Sequence, residues 1–205
     1  MEKMLSIPDN KTYIVYLSGG LDSALVLFLI GTYLPNSKLV LVTACHSHMK
    51  HYNKPFVKNI VSWFTNRFAN NIVEHKFIYY KDRVESQSRK QTTFDEVVRE
   101  YNADGSFVGM TLNPAIDDLM TDDNRDKRRD VKNVWKRDLS VQFGKKFISY
   151  QPINDIDKKG VANLYEQYNL DELAEITISC ESLTEVKPCK TCWWCREKYY
   201  GFGYY

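Results

Sequence analysis

Two groups of residues in this 205-residue chain have the types and spacing to do chemistry. The first is Ser18-Gly19-Gly20-Leu21-Asp22-Ser23, which follows the apolar run Ile14 to Leu17 and leads into an apolar helical pattern. Paired glycines let the backbone turn sharply and bring bare N–H groups against an anion, and the positive end of the helix that follows adds partial charge. The hydroxyls of Ser18 and Ser23 add donors. No Gly-Lys-Ser/Thr follows at the distance a Walker loop requires. The plainer alternative is an ordinary strand-turn-helix corner, which has no need of two serines and an aspartate around its glycines. A phosphate cradle, and hence nucleotide binding, is the favoured reading.

The second group is Cys180, Cys189, Cys192 and Cys195, spaced C-x8-C-x2-C-x2-C. Four thiolates can surround one tetrahedral ion, and a shell with no open position suits structural Zn2+, with an iron–sulfur cluster as the main rival. Such a metal staples a terminus that has little core of its own. Cys45 stands apart and reads as a small buried residue in preference to a nucleophile.

These residues need elements to position them. Thr12 to Leu17, Leu39 to Thr43, Ile72 to Tyr80, Ser106 to Met110 and Phe147 to Tyr150 read as strands, and Asp22 to Tyr33, Phe56 to Phe68, Phe94 to Tyr101 and Lys158 to Tyr168 as helices. Strands alternating with helices predict an α/β fold, a five-stranded parallel sheet with helices on both faces, plus a small C-terminal zinc knuckle. Residues 1–176 form the expected main domain and 177–205 the four-cysteine extension packed on it. Between Asn113 and Phe143 the periodicity weakens and charges alternate, which predicts a loop leading into a solvated helix; a nucleic-acid patch around Trp135 is the alternative, weakened by the interspersed acids. The aromatic tail, Trp193 to Tyr205, needs a surface to dock on.

Composition narrows the class. With 43% hydrophobic residues and a net charge of +2 the chain can bury a sizeable core, and no 18-residue apolar run exists. The N-terminus lacks a signal peptide's apolar centre, so the expectation is a cytosolic protein without membrane partners, in which cysteines serve as ligands or core residues.

With both groups in hand, the chain resembles the 7-cyano-7-deazaguanine synthases of the PP-loop (N-type ATP pyrophosphatase) superfamily. Ser18 to Ser23 is similar to the superfamily's SGGxDS loop, and Thr177-Ile178-Ser179-Cys180 with Cys189, Cys192 and Cys195 is similar to the synthases' zinc site. Gly201-Phe202, Pro152-Ile153, Lys158 and Gly109 to Thr111 also fall where the family has counterparts. The chain departs from the family after its second strand, where histidines replace a Tyr-x-Gln-Arg-His type loop, and at Lys198, which stands where an arginine is usual.

The resemblance implies an ATP-dependent carbon–nitrogen ligase that adenylates 7-carboxy-7-deazaguanine, releases pyrophosphate and uses ammonia to form first an amide and then a nitrile. It implies that Ser18, Gly19, Gly20 and Ser23 hold pyrophosphate with Leu17 and Leu21 beside them in the nucleotide site, that Asp22 holds Mg2+ or shapes the loop, and that Lys158 places a second charge on the phosphates unless it is a solvated first-turn lysine. Thr43 and Ala44 lie at the strand exit where adenine binds, with Gly109 nearby. His46, His48 and His51 line the same exit as surface histidines or as contacts to substrate or a metal, and Asp117 and Asp118 are solvated acids or a second magnesium site. PP-loop sulfurtransferases and a nucleotide-responsive binding module remain the alternatives. Nucleic acid is not the expected direct substrate, and homodimers are frequent in the family.

Overall fold

A computed structural model describes residues 2–46, 53–69, 71–81, 83–114, 134–180 and 187–205. A short helix, α1 (Glu2–Leu5), precedes β1 (Thr12–Tyr16), α2 (Leu21–Tyr33), β2 (Lys38–His46), α3 (Asn53–Arg67) and β3 (Asn71–Tyr80). Helix α4 (Arg83–Glu100) leads to β4 (Gly105–Val108); then come β5 (Lys136–Asp138), α5 (Ser140–Phe143) and β6 (Ile148–Tyr150). The chain closes with α6 (Lys158–Gln167), α7 (Asp171–Glu175) and α8 (Trp193–Phe202).

Among the described residues the sheet has six strands in the order β3-β2-β1-β4-β6-β5. All neighbours run parallel except β5, which pairs antiparallel with β6. The five-stranded, all-parallel expectation is corrected at this edge. Lys136, Arg137 and Asp138 are charged and exposed, so no apolar alternation marks them as a strand. Backbone pairing with Ile148 to Tyr150 alone makes them one. The helix expected in this region reduces, from residue 134 on, to the single turn of α5; residues 115–133, with Asp117, Asp118 and the basic run from Arg125 to Lys132, lie outside the described residues.

Alternation along the central strands sends side chains into two cores. Tyr13, Val15, Leu39 and Leu41 pack with α2, α3 and α6, while Ile14, Val40 and Val42 pack with Phe94, Val97 and Val98 of α4. Helix α2 is apolar nearly all round and correspondingly buried, as a helix enclosed between sheet and outer helices must be. No helix among the described residues is long and apolar enough to cross a membrane.

The strand order places a topological switch at the β1–β4 pair. After β1, the chain winds outward through β2 and β3, then returns to lay β4 on the other side of β1. The loops leaving β1 and β4 diverge, opening a crevice at their carboxyl ends.

Candidate active site

A cavity of about 440 Å3 occupies that crevice. Tyr16 and Leu17 from the end of β1, Ser18 and Gly20 to Ser23 from the following turn, and Val108 and Gly109 from the end of β4 line it. Gly19 adopts φ +90°, a conformation that side chains strain to reach, and makes the turn possible. Gly20 caps α2 without a side-chain bond, and the first intrahelical bond of the helix, Ala24 N–H to the Gly20 carbonyl, closes at 3.1 Å. The first-turn N–H groups therefore remain available to an anion. Gly109 lies so near this turn that a Cβ would sit 2.8 Å from the Asp22 carbonyl carbon and the Ser23 nitrogen.

The two serine hydroxyls form a directional chain. Ser23 Oγ donates to the Gly20 carbonyl at 3.0 Å, which uses its only proton, so it accepts from Ser18 N–H at 3.1 Å and from Ser18 Oγ at 3.0 Å. Ser18 Oγ in turn accepts from Gly20 N–H at 3.3 Å. The loop is thus preset without a ligand.

Beneath it lies Lys158, the first residue of α6. Its ammonium contacts both Asp22 carboxylate oxygens at 2.6 Å and Glu197 Oε2 at 3.4 Å. The side chains of Lys158 and Glu197 are 5% and 6% exposed, against 23% for Asp22. Burial works against the lysine's charge, but Asp22 and then Glu197 outweigh it and hold its pKa above the usual value. Burial foremost pushes Glu197 upward, opposed by Lys158. The site therefore stores one buried cation shared by two carboxylates from α2 and α8. Tyr165 ties α6 to the same turn, its hydroxyl donating to the Leu21 carbonyl at 2.9 Å.

Asn53, at the start of α3, joins the exits of β1 and β2. Its Nδ2 donates to the Ser18 and Ala44 carbonyls at 3.3 and 3.4 Å, and its Oδ1 accepts from Cys45 Sγ at 3.3 Å. Cys45 is fully buried, and burial raises its thiol pKa, which keeps it protonated and fits the core role. Ala44 lines the cavity, whereas Thr43 is buried beside it. Thr43 Oγ1 spends its proton on the Leu17 carbonyl at 2.7 Å, so the 2.8 Å contact to His75 Nε2 requires the histidine to donate. His75 therefore carries a proton on Nε2. Burial first, and the charge of Lys54 second, push its pKa down to about 4. His46 ends β2, and His48 and His51 lie outside the described residues.

The C-terminal segment completes the wall. Ile178, Ser179 and Cys180 line the cavity together with Trp194 and Glu197. Ile178 N–H donates to the Gly19 carbonyl at 2.9 Å, joining this segment to the cradle. The Sγ atoms of Cys180, Cys189, Cys192 and Cys195 all lie within 4.8 Å of one another, with Cys189 and Cys195 at 3.9 Å and Cys180 and Cys192 at 4.0 Å. A tetrahedral ion with metal–sulfur bonds of about 2.3 Å sets its sulfurs about 3.8 Å apart. The four thiols could therefore hold one ion. A cluster of several irons and sulfides needs its cysteines spread wider.

With this geometry in place the molecule can be compared with known proteins. No protein-family model matches the chain, and no curated protein matches it significantly. Its fold does have solved counterparts. The U34-tRNA thiolase NcsA from Methanococcus maripaludis with its [4Fe-4S] cluster is similar at a TM-score of 0.57 and 18% identity, over 97% of this chain and 68% of that one. NMN synthetase from Francisella tularensis is similar at 0.52 and 13%, over 100% of this chain and 85% of that one. A 4-thiouridine synthetase in complex with RNA and bound ATP is similar at 0.52 and 12%, over 88% of this chain and 47% of that one. The chain shares the α/β fold of these three structures, at identities of 12–18%.

Sequence reading assembled the cradle, Gly109, Lys158 and the cysteines but missed Glu197, Asn53 and Trp194. Glu197 carries a weak signal, since it stands two residues after Cys195 within an aromatic tail that has no other acid. Asn53 carries none.

Removing the ammonium leaves two carboxylates facing each other, so Lys158→Met should lower stability by roughly 3 kcal/mol in urea unfolding, and adding Glu197→Gln should recover part of the loss. An unchanged midpoint would show that the buried ion cluster contributes nothing. For His75 the depressed pKa means that the unfolded chain takes up a proton between pH 6.5 and about 4 while the folded chain does not. Stability should therefore fall as pH drops through that window, and His75→Gln, which keeps a donor for Thr43, should flatten the fall by about 1 kcal/mol, allowing for screening at a part-exposed ring. Equal slopes in the two proteins would contradict this.

Proposed function

We propose that the chain is an ATP-dependent ligase that adenylates a carboxylate on a deazapurine, 7-carboxy-7-deazaguanine by the sequence resemblance, and converts it to a nitrile with ammonia. One observation carries the reading: the Ser18–Ser23 cradle opens into a 440 Å3 cavity that is also lined by the segment entering the four-cysteine centre, which is hydrogen-bonded to Gly19. A nucleotide and a planar acceptor together suit a cavity of that size. The close thiolate spacing favours Zn2+ over an iron–sulfur cluster, and therefore favours this reading over a sulfur-transferring one.

A carboxylate is a poor electrophile, and exchange of its oxygen for a phosphate leaving group corrects this. An acceptor oxygen attacks the α-phosphorus, the bond to the bridging oxygen breaks, and pyrophosphate departs. Ammonia then attacks the acyl carbon, a proton leaves, and AMP carries away the former carboxylate oxygen to give the amide. A second ATP activates the amide oxygen in the same manner; AMP leaves with it, two N–H protons are lost, and the nitrile remains.

The chain's own part is to bind and orient. First-turn N–H groups of α2, in a turn that the Ser18 and Ser23 hydroxyls preset, hold the departing pyrophosphate, and Lys158 offsets its growing charge. Mg2+, when bound, neutralises phosphate oxygens, and Asp22 is the residue fitted to hold it. Ala44 and Leu17 border the strand exit assigned to adenine, and Tyr16 and Trp194 line the same cavity. Zn2+ held by four thiolates has no open position and acts on structure alone. A homodimer is the expected assembly.

Incubation of the protein with ATP, magnesium, ammonium and 7-carboxy-7-deazaguanine should yield AMP, pyrophosphate and the nitrile by mass spectrometry. Gly19→Val, which imposes a side chain on a left-handed turn, should cut turnover at least about a hundredfold, the scale of losing a positioned transition-state donor. AMP formed without loss of the acid would replace the acceptor, and absence of AMP with any carboxylate would overturn the reading.

A further inference from the structure

Lys158 has two carboxylate partners that belong to different functional groups. Asp22 is part of the phosphate cradle. Glu197 rides on α8, whose N-cap is Cys192 and whose first turn carries Cys195. Its carboxylate is almost wholly removed from water and has Lys158 as its ion-pair partner. The two contacts are unequal, both Asp22 oxygens at 2.6 Å against one Glu197 oxygen at 3.4 Å.

The position of Glu197 is set from both ends of α8. At the far end Gly201 lies on the Lys158 backbone so closely that a Cβ would overlap its carbonyl. Tyr200 Oη donates to Asp157 at 3.0 Å, the residue that caps α6. At the near end the buried Trp193 side chain and the convergence of the four cysteine sulfurs hold the first turn. Residues 187–192 carry no helix or strand, and Cys192 caps α8 without a side-chain bond. A metal ion bound by four thiolates would tighten this end, and its loss would loosen it.

We infer that Glu197 is a positioning residue through which occupancy of the four-cysteine centre controls nucleotide binding. This rests on the reading of the cradle as a nucleotide site. With the metal in place, α8 holds Glu197 against Lys158, and the ammonium is shared between two acids instead of being committed to Asp22. Asp22 can then turn to the magnesium that accompanies ATP while Lys158 stays charged, buried and directed at the phosphates. With the centre empty, the first turn of α8 loosens and Glu197 withdraws. Lys158 then closes onto Asp22, and the incoming nucleotide must break that pair. The contact between Ile178 and Gly19 makes a second physical bridge from the cysteine segment to the cradle, but it carries no charge and would survive neutralisation of Glu197.

The test measures affinity by calorimetry for a non-hydrolysable ATP analogue with magnesium, using the full chain loaded with zinc or stripped by chelation. In the wild-type protein, stripping should weaken binding about tenfold, within the usual span of coupling between sites. Glu197→Gln loaded with zinc should bind as weakly as stripped wild type, and stripping it should change little more. Linkage demands the reverse effect, so the analogue should raise zinc affinity in a chelator competition by the same factor in wild type and not in Glu197→Gln. A purely structural Glu197 would shift the melting temperature and leave the coupling factor intact. If Glu197→Gln does not fold, Glu197→Asp, which keeps the charge but draws it back, should give an intermediate coupling factor. Undiminished coupling in either variant, or fold-changes from stripping and substitution that simply multiply, would overturn the inference. Metal-independent binding in wild type would overturn it while leaving the nucleotide site standing, whereas no binding in either metal state would overturn both.

Discussion

The ammonium of Lys158 sits out of water between Asp22 and Glu197, and the arrangement of the site follows from the cost of that burial. An ammonium and two carboxylates removed from solvent persist only where their geometry is good and their supports rigid. The surroundings meet this demand. Asp22 is fixed by the first turn of α2, which Gly19 and the serine hydroxyls shape. Lys158 begins a helix capped by Asp157 and tied to α2 through Tyr165. Glu197 arrives on a helix that only a glycine allows to approach so closely. Three segments remote in the chain are therefore obliged to meet at one point, and that point lies under the glycine turn after β1.

This constraint gives the C-terminal cysteines a place in the site instead of a separate role at the terminus. The segment Ile178 to Cys180 forms a wall of the cavity and is hydrogen-bonded to the cradle. Trp194 and Glu197 extend that wall from α8. The helix that these cysteines begin delivers the acid that shares the buried lysine.

The chemical groups were legible in the sequence to the extent that local physics determines them. Gly19 and Gly20 between serines have few uses other than a turn around an anion, and cysteines three residues apart converge with little help from the rest of the fold. The aliphatic runs of β1 and β2 could be read because both faces of those strands are buried. Other features depend on tertiary context. The first half of α4, Arg83 to Thr93, is polar apart from Val84, so the helix becomes visible only from Phe94, where it meets the core. Strand β5 is a charged tripeptide held by its neighbour's backbone. Glu197 is one acid on a short aromatic helix, and its meaning comes from a lysine brought to it by folding. The tail's need for a docking surface was legible, and its Phe202 packs edge-on against Tyr165 at 5.4 Å.

The central claim is that the turn after β1, backed by the shared lysine, receives the phosphates of ATP. A crystal structure of the zinc-loaded protein with magnesium and a non-hydrolysable ATP analogue tests it most directly. The account predicts the triphosphate against the backbone of residues 19–23 with the Lys158 ammonium in contact with it and Glu197 still beside that ammonium. A nucleotide bound elsewhere, or a triphosphate in the crevice with Lys158 still closed on Asp22 and apart from it, would contradict the account.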